Sequence, residues 1–202
     1  MAVLVEHDKR KHEILEKALE LFVEEGYEDV TFQKIADRCN ITRTTLYIYF
    51  KNKREIFVWS IKQLTGGLEA KLKEIIGDVS LTAKECLRKV LSQIISDCEA
   101  NTQLFKVLLV YIIQLQKSGV DVNERVSRRL VRLHHLMNAI IIRGQANGEF
   151  RKVPIKDAVA LLYSLLEDVI FHLAVLDSKD LQKNRGTVDF VIESLCEKKE
   201  QD

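Results

Sequence analysis

The sequence predicts an all-α fold: an N-terminal three-helix domain with a helix-turn-helix, then a larger C-terminal helical bundle. Three observations carry that expectation. The 202 residues include one proline and eight glycines, too few for a turn-rich β protein. Apolar residues recur every three or four positions along most of the chain. Threonine and asparagine also stand where helix starts need capping oxygens.

The elements follow in order. "HEILEKALELFVEEG" places Ile14, Leu15, Ala18, Leu19, Phe22 and Val23 on one stripe, and Gly26 suits the left-handed position that ends a helix. Thr31 caps a second helix whose Phe32, Ile35 and Ala36 turn inward. Asn40 tolerates the left-handed backbone of a tight turn. Thr42 caps a short third helix through Phe50, and Asn52 caps a fourth with Glu55 in capping-box position. Residues 53–76 carry Ile56, Phe57, Trp59, Ile61 and Leu64 and end at "GDVSLT". Thr82 opens a helix to about Glu99, "NTQLFKVLLVYIIQLQ" forms the next, and "KSGVDVN" is a loop. A long helix is expected over 124–145, then a turn at "ANGEFRKVP". Residues 155–176 form a helix that is apolar on nearly every side, and a last helix carries Val188, Val191, Ile192 and Leu195. The domains divide as 1–52 and 53–202, joined by the fourth helix without a flexible linker.

Composition sets limits. The apolar and charged shares, 47% and 30%, are ordinary for a globular protein. Cys39, Cys86, Cys98 and Cys196 are too widely spaced for a metal cluster or a disulfide framework, so they read as thiols in a reducing compartment. Charges follow directly on the first five residues, which does not suit a signal peptide, and no apolar run approaches a membrane span. A cytoplasmic location is expected, with no membrane partner.

The chemistry concentrates in residues 31–57. A helix-turn-helix can lay its second helix in the DNA major groove, burying one face and offering the other to phosphates and base edges. In "TRTTLYIYF", Leu46, Phe50 and Thr45 suit the inner face. Arg43, Thr44, Tyr47 and either Ile48 or Tyr49 suit the outer one. Arginine pairs bidentately with guanine or phosphate, hydroxyls bond phosphate oxygens, and apolar atoms meet the thymine methyl. Over residues 31–54, Lys34, Arg38, Arg43, Lys51, Lys53 and Arg54 face one acid, Asp37, whereas the whole chain carries only +1. Duplex DNA is therefore the expected partner.

"VTFQKIADRCNITRTTLYIYFKNKREIF" resembles the DNA-binding domain of the tetracycline-repressor (TetR) family of bacterial regulators. The matching elements are the opening threonine, IA, the turn, "T-x-x-T-L-Y-x-Y-F" and "K-N-K-x-x-I", preceded by "ILEKALELFVEEGYEDVT". The resemblance covers about residues 10–57; beyond it only length, helical character and "GEFR" are similar. It implies a homodimer on a palindromic operator, most simply a repressor, with a C-terminal domain that senses a small-molecule effector. By position it implies DNA contacts from Thr31, Gln33, Thr42, Arg43, Thr44, Tyr47, Tyr49 and Lys53. Tyr47 and Lys53 would bind phosphate, while Gln33, Arg43 and Thr44 would read bases. Asn40 replaces the family's usual glycine, and Ile48 stands where an aromatic or polar residue is common.

Other features are less specific. Trp59, Gln63, Phe105, Tyr111, Gln114, Tyr163, Glu167 and His172 are aromatic or polar residues within apolar helices and could line a ligand cavity, although any bundle core has such members. Glu167, flanked by Leu166 and Val169, would need a partner or a cavity edge. The last two helices are more apolar than a monomer needs. Ala158, Leu161, Leu162, Leu165 and Val169, with Val188, Val191, Ile192 and Leu195, are expected at a four-helix dimer interface. His134, His135 and His172 lack metal-ligand spacing, and no phosphate loop, nucleophile elbow or HExxH occurs. No cofactor, metal or enzymatic activity is expected. A helical adaptor whose basic face binds an acidic partner is the alternative, as is an activator in place of a repressor.

Overall fold

The computed structural model describes residues 2–117, 122–176 and 181–197. Among them run nine helices: α1 (Ala2–Glu25), α2 (Phe32–Arg38), α3 (Arg43–Tyr49), α4 (Lys53–Gly77), α5 (Ala83–Ala100), α6 (Thr102–Lys117), α7 (Val122–Ala146), α8 (Ile155–Ala174) and α9 (Leu181–Leu195). Expected and observed boundaries agree within a few residues except at the start of α1. The charged run "EHDKRKH" contains no breaker, so α1 extends about ten residues further than its apolar stripe requires. Most of the expected "KSGVDVN" loop lies outside the described residues, as does the side chain of Gln114.

The chain forms two compact units. The first comprises residues 1–67 and 106–114, and the second residues 68–105 and 115–202. α4 and α6 each contribute residues to both.

In the first unit α2 packs on α1 and α3 on α2. Ile14, Ala18, Phe22, Ile35, Ala36, Leu46, Phe50, Ile56 and Phe57 are buried there. Ser60 of α4, itself buried, donates to the carbonyl of Leu15 at 2.9 Å and ties α4 to α1. An aromatic group closes the far side, with Phe57 4.9 Å from both Phe22 and Tyr27 and 4.7 Å from Tyr111. Burial, with Tyr111 beside it, pushes the Tyr27 phenol up to about 12.

In the second unit α5 contacts α7, α8 and α9, and α8 contacts α7 and α9. Its start is fixed by a capping box: Thr82 accepts from the amide of Glu85, whose carboxylate accepts from the amide of Thr82. α7 ends with Gly148 at φ 72°, and the amide of Glu149 returns to the carbonyl of Gly144 at 2.9 Å. The core is aliphatic, built from Leu87, Val90, Leu91, Ile94, Met137, Ile140, Leu162 and Ile192 among others.

This packing relocates the apolar residues expected at a dimer interface. Ala158, Leu162, Leu165, Val169, Val188, Val191, Ile192 and Leu195 are already buried inside their own unit, because α5, α7 and α9 wrap α8 within one chain. Leu161 is the exception, and with Phe171 and Phe190 it is exposed. Glu167 also differs from expectation: it faces outward, where a carboxylate needs no compensating partner.

Candidate nucleic-acid interface

The turn between α2 and α3 is built from local chemistry. Thr31 begins α2 by accepting from the amide of Lys34 at 3.2 Å. At the other end Asn40 adopts φ 53°, its amide bonds the carbonyl of Asp37, and the amide of Ile41 bonds that of Ala36, both at 3.0 Å. This is the doubled closure of a Schellman turn, with asparagine in the left-handed position. Two residues later Thr42 starts α3, accepting from the amide of Thr45 at 3.0 Å. The turn therefore has little freedom, and the axis of α3 is fixed against α2.

α3 then divides cleanly. Leu46 and the C-cap residue Phe50 are buried, and Thr45 and Tyr49 are half-buried. Arg43, Thr44, Tyr47 (51% exposed) and Ile48 (70%) face out. The Arg43 guanidinium donates to the Tyr47 hydroxyl at 3.3 Å, one turn away. The Tyr47 ring lies 4.6 Å from Phe32 of α2, which holds its plane. Tyr49 stacks on His7 of α1 at 4.7 Å, a neighbour outside the span from which the sequence suggested α1 would begin. The basic run at 7–12 was the available signal for it.

The basic cluster is less free than its composition suggests. Lys34 pairs with Glu25 at 2.6 Å, and Arg38 holds Glu24 through both guanidinium nitrogens. That pairing draws the Glu24 carboxyl below its ordinary range. Lys53 points inward: its ammonium donates to the carbonyls of Tyr27 at 2.7 Å and Glu28 at 3.1 Å, and sits 4.5 Å from the Tyr27 ring. Burial lowers its pKa. Gln33 is exposed and donates to Asp37 at 2.8 Å. Asn52 caps α4 through the amide of Glu55 at 2.9 Å, and Glu55 accepts from the amide of Lys51 at 2.6 Å.

The residues expected around a ligand fall in separate units. Trp59, flanked by Lys11 and Lys62, belongs to the first, as do Gln63, which donates to the carbonyl of His12, and buried Tyr111. Phe105, Tyr163, Glu167 and His172 belong to the second. There Tyr163 is buried and stacked on His134 at 3.8 Å, with its phenol pushed up by that burial. His172 bonds the carbonyl of Asp168 at 2.9 Å. An open cleft of about 390 Å³ beside α5, lined by Ile75, Arg88, Lys89, Ser92, Gln93 and Ser96, contains none of the expected ligand residues. Among the described residues no group of three or more His, Cys, Asp or Glu is placed to hold a metal ion. No described helix is long and apolar enough to cross a membrane.

Residues 14–58 match the family described as bacterial regulatory proteins, tetR family. The fatty acid metabolism regulator protein of Bacillus subtilis is 24% identical over 83% of this chain and 84% of its own. The IcaR negative transcriptional regulator of the biofilm operon icaADBC of Staphylococcus aureus is 38% identical over 52 residues, 26% of this chain and 28% of its own. Among solved structures, the TetR family transcriptional regulator PfmR from Thermus thermophilus superposes with TM-score 0.69 at 26% identity, over 89% of this chain and 97% of that one. FadR from Bacillus subtilis, in complex with stearoyl-CoA, superposes with TM-score 0.72 at 24% identity, over 91% and 96%.

Proposed function

We propose that this chain, which belongs to the TetR family of bacterial regulatory proteins, is a ligand-responsive transcriptional repressor that binds a palindromic operator as a homodimer. One observation carries the reading: a rigidly capped turn presents Arg43, Thr44 and Tyr47 on the open face of α3. With Thr31, Gln33, Thr42 and Tyr49 they form the DNA surface. The Thr31 cap accepts a backbone amide and can offer its hydroxyl proton to a phosphate oxygen, the Thr42 hydroxyl shares a hydrogen bond with that of Thr45 at 2.8 Å, and Arg43 pairs with guanine or phosphate. Lys53 joins them only by exchanging its carbonyl partners for a phosphate. A twofold dimer sets two such helices about 34–36 Å apart, one turn of DNA. The chain works by binding, without a catalytic step, in the cytoplasm.

The effector is a long-chain acyl thioester. Support comes from the Bacillus subtilis relative, whose similarity runs far beyond the helix-turn-helix, and from the stearoyl-CoA complex of FadR. Phe105 and Tyr163, two of the expected ligand residues, lie at the aliphatic core of the second unit, and an acyl chain would enter there by parting that packing. An effector that binds a DNA-incompetent conformer more tightly shifts the population off the operator.

Affinity selection from a random duplex library tests the first part. A palindromic sequence should be enriched, with binding that falls steeply as salt rises. Enrichment of no sequence overturns the reading. Stearoyl-CoA added to the purified operator complex should weaken binding at least about tenfold where free coenzyme A does not. An unchanged affinity removes the acyl thioester and leaves the repressor.

A further inference from the structure

We propose that Ile48 is a specificity-determining residue that reads the C5 methyl group of a thymine. The inference rests on the DNA-binding reading of α3 and adds to it the base read by an apolar side chain. At 100° per residue, the outward arc of α3 holds two parallel ridges. Arg43 and Tyr47, one turn apart and hydrogen-bonded at 3.3 Å, form the polar ridge. Thr44 and Ile48, also one turn apart and both exposed, form a second ridge whose outer atoms are mostly methyl groups.

Ile48 serves neither the core nor the helix. It is 70% exposed, so it contributes little to packing. A β-branched residue also lowers helix propensity in a helix of only seven residues, where lysine, glutamate or glutamine would raise it. Its fixed rotamer suits a different use, because a stiff branched chain presents its methyls in one place. Tyr47 braced on Phe32 at 4.6 Å holds the neighbouring ridge in place, and with α3 laid in a major groove the exposed Ile48 would face base edges. The apolar feature of the major-groove floor is the thymine methyl, which separates thymine from cytosine at the same position.

The test uses the full-length protein and its selected operator, with each thymine replaced in turn by deoxyuridine in both half-sites. Only the methyl is removed. One symmetric pair of thymines should be sensitive: burial of one methyl gives about fourfold, hence about fifteenfold for two half-sites. Ile48→Ala should keep the fold, bind the operator less tightly, and lose that discrimination to within about twofold. An operator with no such thymine, or one whose uracil penalty persists in Ile48→Ala, overturns the inference while leaving the repressor intact. That result would place Ile48 against sugar or phosphate. Failure to enrich any operator would overturn both readings together.

Discussion

The outward faces of α3 and α8 carry opposite chemistry. α3 turns out Arg43, Thr44 and Tyr47 around one aliphatic residue, Ile48. α8 turns out Leu161 and Phe171 among Lys156, Asp157, Glu167 and Asp168, and its neighbour α9 adds Phe190, 74% exposed. Each face indicates what can complete it. Cations and hydroxyls with one methyl-bearing contact are completed by a nucleic acid. For aromatic and aliphatic groups rimmed by charges of both signs, we propose a similar surface, that of a second copy.

Removing the apolar half of this contrast should have the largest effect. Phe171→Asp with Phe190→Asp should give a folded monomer in sedimentation, and operator affinity should fall about a thousandfold because the two half-sites are no longer engaged together. A dimer that survives both changes at micromolar concentration would move the interface elsewhere. Next comes the inner face of α3. Leu46→Ala should cost about 3 kcal/mol in urea denaturation, against less than about 0.5 kcal/mol for Ile48→Ala two positions away. Similar losses would mean that α3 is not divided as described. Arg43→Ala with Tyr47→Ala should weaken operator binding about a hundredfold and flatten its salt dependence, with an unchanged melting temperature. Smallest is Thr42→Ala, about 1 kcal/mol of stability from the lost cap, measurable by calorimetry.

Local features were legible in the sequence because each is decided within a few residues. The caps at Thr31, Thr42 and Thr82 and the left-handed Gly26 and Asn40 depend on side-chain oxygens and backbone sterics at one turn. Features decided by distant parts of the chain were not. Glu24 and Glu25 of α1 meet Arg38 and Lys34 only after α2 folds back, so counting charges over 31–54 overstated the free positive charge. Lys53 is held by carbonyls 25 and 26 residues away. An apolar α8 can be covered by its own chain or by a partner, and periodicity cannot choose between them. Here its own chain covers Leu162, Leu165 and Val169 and leaves Leu161 and Phe171. For the same reason the ligand residues could be chosen by type but not by neighbourhood.

Gly66 and Gly67 lie in the middle of α4, where the chain passes from one compact unit to the other, and an added Cβ at either would meet nothing within 4 Å. Nothing in the packing asks for glycine there, and each lowers helix stability by about 1 kcal/mol relative to alanine. The connecting helix therefore carries two weak helix formers side by side at the boundary between the units. Replacing both glycines with alanine would raise the helix propensity of that stretch without touching either unit's core.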